Sequence, residues 1–140
     1  MKAKLLGVLT ALLVLGAAVP LFAHHAFSVE FDENNCRDLK GTLTAVTWQN
    51  PHAYLDIEVK EANGEAVTWH LEMITPNALK RTGTSRQDFE SNFGKTINVR
   101  MCAARSGNNR GAASYLALSD GLIRLVGQSV ERRSKEEMRF

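Results

Sequence analysis

A chain of 140 residues, 44% hydrophobic and 23% charged, has room for one ordinary globular domain and a short extra segment. Its formal charge of +2 is too small for a phosphate-binding surface, which excludes nucleic acid as an expected partner.

Lys2 and Lys4 precede an apolar run from Leu5 to Val19, and Pro20-Leu21-Phe22-Ala23 ends on a small residue. This is the pattern of a secretory signal peptide over residues 1–23, with cleavage expected after Ala23. The alternative is an uncleaved anchor, but about 15 apolar residues fall short of the ~20 that a membrane span needs. Cleavage would take two lysines from the 17 basic side chains and leave 15 against 15 acidic ones. The mature protein is therefore expected to be periplasmic or secreted, uncharged overall and free of the membrane.

Two cysteines remain, Cys36 and Cys102. In an oxidising compartment an even pair favours a disulfide. Closing a loop of about 65 residues would contribute roughly 4 kcal/mol in the loop-entropy account. A thiolate metal site is the alternative, although neither cysteine has a partner at short spacing.

In the mature chain, Phe27, Val29 and Phe31 alternate with polar residues and suggest a short edge strand or extended arm, broken by Asp32-Glu-Asn-Asn35. Leu39 to Trp48 is the first long strand. Leu43 and Val46 differ in parity, so a β-bulge near Thr44 and Ala45 is expected. The second strand, Ala53 to Lys60, alternates Leu55, Ile57 and Val59 with Tyr54, Asp56 and Glu58. The third, Ala66 to Met73, alternates Val67, Trp69, Leu71 and Met73 with Thr68, His70 and Glu72. A two-residue Asn63-Gly64 turn would oppose every apolar residue with a polar one. A three-residue loop with Gly64 in the left-handed conformation restores the match, setting Asp56 across from His70 and Tyr54 across from Glu72 on the outward face.

Thr75-Pro76 opens a short helix that Gly83 closes. Ser85 to Asp88 can start a further turn ending at Gly94, with Phe89 and Phe93 expected inside. Thr96 to Cys102 reads as the fourth strand, Ala113 to Ser119 as the fifth, and Leu122 to Leu125 as a final strand or barrel rim. Residues 128–140 are almost entirely polar and suggest a frayed helix or a disordered tail.

Three meandering strands, a helix and two more strands give an all-β domain over residues 24–127, a five-stranded Greek-key barrel of oligonucleotide/oligosaccharide-binding type. In that topology the fourth strand runs antiparallel beside the first, which would bring Cys36 to Cys102. A meander sheet with one helix packed on it is the alternative.

Chemistry-bearing side chains concentrate at the corner Trp48-Gln-Asn50-Pro51-His52 and on the strands it joins to. Trp48, Asn50, His52, Tyr54, Asp56, His70 and Glu72 form the expected ligand-binding face. Cleavage after Ala23 would make His24 the first residue, offering amine and imidazole nitrogens to one ion, an arrangement suited to copper. His25, His52 and His70 are further candidate ligands, with Asp56 orienting His70. Equally, His24-His25 can be a solvated terminus and His52 can satisfy its own turn. His70 can sit in an ordinary cross-strand pair. No phosphate loop, nucleophile elbow or zinc-protease helix motif occurs, so no catalytic residue is assigned. Arg100, Arg105 and Arg110 can receive an anion or balance nearby acids.

The run His24-His-Ala-Phe27 after a signal peptide, with Glu30-Phe31-Asp32, Gly41-Thr-Leu-Thr44, Trp48-Gln-Asn-Pro-His52, Trp69-His-Leu-Glu72, Leu79-Lys-Arg-Thr-Gly83 and Ala104-Arg105-Ser-Gly107, resembles a family of small exported bacterial proteins classed only as a domain of unknown function. The resemblance spans the mature chain and implies a single exported domain without supplying a mechanism. The cysteine pair and the charged tail are where this chain departs from it. Together these readings lead to a small exported binding module for a ligand or partner protein, in its sharpest form holding a copper-type ion. An accessory subunit that needs no ion is the alternative, and an oxidative copper enzyme is a third possibility.

Overall fold

The structure is a computed structural model that describes residues 27–127 and 138–140. Phe27–Glu30 is helical and belongs to a separate unit from the one that begins at Phe31. The expected strand at 27–31 is thus corrected. Alternation over three apolar positions is too short to separate strand from helix, and the next element begins only at Phe31.

That element is β1 (Phe31–Thr47), followed by β2 (Tyr54–Lys60) and β3 (Ala66–Glu72). Two short helices come next, α1 (Pro76–Arg81) and α2 (Arg86–Glu90). The chain then forms β4 (Thr96–Ala104), β5 (Arg110–Ala117) and β6 (Ile123–Leu125). All strands belong to one mostly antiparallel sheet in the order β3-β2-β1-β4-β5-β6, and β3 also pairs with β5 in parallel. No helix among the described residues is long and apolar enough to cross a membrane.

β1 holds the sheet together because it is long enough to pair with β2 through its second half and β4 through its first. Residues 32–35 do not end it; they are taken up in an irregularity between Phe31 and Cys36. The bulge lies where the parity of Leu43 and Val46 requires it. The register shifts between Leu43 and Ala45, so Leu43 opposes Ile57 and Val46 opposes Leu55, and both reach the core. Thr44, extra in the ladder, donates its Oγ1 proton to the Asp56 carbonyl at 3.1 Å.

The β2–β3 hairpin follows the apolar match. Glu61 N donates to Glu65 O at 2.8 Å, residues 62–64 form the loop, and Gly64 takes φ +86°, a conformation glycine adopts without steric cost. Ile57 therefore faces Trp69 and Leu55 faces Leu71. Cys36 and Cys102 lie directly opposite each other in the β1–β4 ladder and are joined by a disulfide.

Both helices are fixed by their caps. Thr75 Oγ1 accepts from Ala78 N at 3.2 Å with Pro76 in the first turn, and Ser85 with Asp88 forms a capping box. At six and five residues, neither would persist alone. What retains them is burial of Leu79 and Phe89, each 0% exposed, among Leu43, Leu55, Ile57, Val99 and Met101. A fully buried side chain of this size contributes about 1.5–3 kcal/mol.

Phe93, expected inside, is 43% exposed. The helix stops at Glu90, so the spacing that would place residue 93 beneath residue 89 no longer applies. Asn92 goes inward instead, donating from Nδ2 to Asp88 O and accepting from Ser119 N. At the other end of the chain, the Phe140 ring packs on Tyr115 with centroids 5.3 Å apart; residues 128–137 of the expected tail lie outside the described residues.

Candidate functional site

The hairpin corner is pinned by backbone bonds beyond the β2–β3 ladder. Met73 N donates to Ala53 O at 2.8 Å and Ala53 N to Ile74 O at 3.2 Å. Ala53 and Met73 are buried, while the chain enters through exposed Asn50 and Pro51, joined by a cis peptide bond. Alternation then puts Tyr54 and Asp56 on the outward face with Glu72 and His70 as their respective cross-strand partners.

Five side chains form a continuous array on this face. His70 Nδ1 lies 2.5 Å from Asp56 Oδ1. The His70 ring stacks on Tyr54 with centroids 4.8 Å apart and planes 10° from parallel. Tyr54 donates its hydroxyl to Glu72 Oε2 at 3.4 Å, and Glu72 Oε1 lies 2.8 Å from His52 Nδ1. That nitrogen is also 3.2 Å from Met73 O.

Carboxylate and carbonyl oxygens can only accept, so both Nδ1 atoms must carry the proton. In the neutral imidazoles each Nε2 is then left with its lone pair. His52 and His70 side chains are 37% and 43% exposed, enough for a ligand to reach them. Their carboxylate partners fix ring orientation and tautomer, which is how metal-binding and proton-accepting histidines are commonly prepared.

The other expected residues distribute differently. Trp48 is half-buried against the core, its ring 6.1 Å from Phe89, and Asn50 is exposed at the corner. His24 and His25 lie outside the described residues. His52 and His70 pair with separate carboxylates, and among the described residues no group of three or more His, Cys, Asp or Glu side chains is arranged to hold a metal ion.

The arginine group is also dispersed: Arg100 pairs with Asp38 at 3.2 Å and Arg105 with Asp32 at 3.7 Å. Arg110 instead lies opposite His70 through the parallel β3–β5 pairing, where His70 N donates to Asn109 O at 2.9 Å. Sequence reasoning missed this approach of the 107–111 loop to the histidine face, and also missed Thr44 under Asp56. Strand order carried the first signal, since a fifth strand returning beside the third would deliver that loop to His70.

No curated protein and no solved structure matches the chain. The model of the Family of unknown function (DUF6152) matches residues 11–113, and the chain belongs to that family.

Proposed function

We propose that this protein is an exported, periplasmic binding module, a five-stranded Greek-key barrel of oligonucleotide/oligosaccharide-binding type whose β2–β3 face holds the ligand. In its sharpest form the ligand is a copper-type ion, for which His24, His25, His52 and His70 are the proposed donors. The observation that carries the reading is the pair of carboxylate-anchored histidines flanking Tyr54, with both Nδ1 atoms engaged. Such anchoring leaves Nε2 as the donor, the nitrogen that first-row metals take readily from histidine. The barrel is supported by the pairings of β1 with β2 and β4, and of β5 with β4 and β3. Export is supported by the charged-then-apolar leader and by a disulfide that an oxidising compartment would preserve.

The test is mass spectrometry of the protein purified from its native compartment, followed by copper titration. The expected result is a chain beginning at His24 that binds copper at least tenfold more tightly than a free His-His peptide, with the excess lost in His52→Ala or His70→Ala. A different amino terminus, or binding no tighter than the peptide, removes the ion from the reading. Co-purification of a partner protein that depends on His52 and Tyr54 but not on copper would establish the accessory-subunit reading instead.

A further inference from the structure

A cleft of about 450 Å³ lies between the α1–α2 connection and β6, lined by Thr82, Thr84, Leu122, Ile123, Leu125 and Met138 along with Gly83 and Arg124. Its volume falls in the range of small-molecule sites, and its wall has their usual composition of apolar side chains with a few polar atoms. Leu122 and Ile123 are 63% and 40% exposed, so the cleft opens to solvent through apolar groups that are costly to leave there.

Most of its polar atoms are already committed. Thr82 Oγ1 donates to Leu79 O at 2.8 Å. Arg124 spans both oxygens of Asp120 at 2.9 and 2.6 Å and donates to Leu122 O. The Arg124 hydrogen bond holds the Asp120 carboxyl down at about 2, so this aspartate stays ionised at neutral pH and the guanidinium charge is matched within the protein. Thr84 differs. It is 1% exposed and its Oγ1 has no hydrogen-bond partner among the described residues. A buried hydroxyl left in this way is destabilising unless something else engages it.

We propose that the cleft binds a neutral amphiphile, a molecule with an aliphatic body and one uncharged hydrogen-bonding group such as an alcohol, with the body against Leu122, Ile123, Leu125 and Met138 and the polar group on Thr84 Oγ1. A neutral head is favoured over an anionic one because the neighbouring cation already has its counter-ion.

The experiment titrates the full chain with 1-octanol and, separately, with sodium octanoate, following the methyl signals of Ile123, Leu125 and Met138 by NMR. Octanol is expected to give saturable shifts of these methyls, and octanoate to bind at least fivefold more weakly. Thr84→Val should weaken octanol binding about fivefold, the size of an ordinary neutral hydrogen bond, while the unliganded variant melts no lower than the parent protein. Leu122→Lys, at an exposed position, should weaken it about tenfold without changing the fold. Absence of saturable shifts, equal binding of octanoate, or unchanged affinity in both variants would overturn the proposal.

Discussion

Gly111 sits where three strands meet, opposite Leu71 of β3 and Ala103 of β4. A Cβ built on it would lie 2.8 Å from the Cys102 carbonyl oxygen and 3.2 Å from Leu71 Cδ2, and would also collide with the methyl of Met101. The Met101 methyl ends a flexible side chain and can swing away. The Cys102 carbonyl belongs to the β4 backbone and cannot yield without opening the β4–β5 ladder.

Overpacking of this kind costs about 1–3 kcal/mol. Since one of the three contacts is soft, Gly111→Ala should cost about 2 kcal/mol, or roughly 10 °C in Tm for a domain of this size. Thermal unfolding by circular dichroism measures the loss. Hydrogen exchange of the His70 amide, which donates to Asn109 O across the junction, should accelerate more than that of Ile57 in the β2–β3 hairpin. A Tm within about 2 °C of the parent, or uniform acceleration of exchange, would refute the tight packing of Gly111 where β3, β4 and β5 meet.

Replacing both Cys36 and Cys102 with Ala, which frees a 66-residue separation, should lower stability in urea by about 4 kcal/mol, and reducing agent should then have no further effect. Asp56→Leu removes the acceptor for His70 Nδ1; because both side chains are about one-third or more exposed, stability should change by less than about 1 kcal/mol. The neutral His70 tautomer, read from ring ¹⁵N shifts, should nevertheless move from Nδ1–H toward Nε2–H, and an unchanged ratio would dismiss the anchoring role.

Arg124 holds Asp120 down at about 2, below the ordinary value of 3.8. This stabilisation is therefore complete above about pH 4 and lost as pH falls through about 2. Acid unfolding of Asp120→Asn should show a deficit at pH 5 that closes toward pH 2; a gap independent of pH would assign the loss to something other than the ion pair. Thr75→Ala should cost about 1 kcal/mol through its missing cap, again measured in urea.

Much of the candidate site is legible in the sequence. The register of Asp56 with His70 and of Tyr54 with Glu72 follows from two facts: apolar residues must face the same side, and only a three-residue loop ending near Gly64 achieves that. The bulge at Thr44 follows from the parity of Leu43 and Val46 in the same way. Contacts of long sequence separation were less accessible. The fate of residues 32–35 depended on whether β4 offered Phe31 and Cys36 a partner, and Phe93 turned outward because its helix ended three residues earlier. Trp48 sat in a motif full of polar chemistry, yet what claimed its ring was Phe89, a residue 41 positions away in the chain.

From Leu39 onward, alternation, turn residues and caps determined by themselves which stretches became strands and helices, the facing of the β2–β3 hairpin and the identity of most of the core, because these are set by neighbours within a few residues. The tertiary structure alone decided that β5 returns parallel to β3 beside His70. It alone also decided that His52 takes Glu72 as its partner, and that Thr84 Oγ1 lines a cleft beside β6 without a hydrogen-bond partner among the described residues. The reason is that local chain preferences are exhausted once the strands exist. Which edges meet, and which polar atoms are left over, depends on how all of the buried side chains fill one volume together.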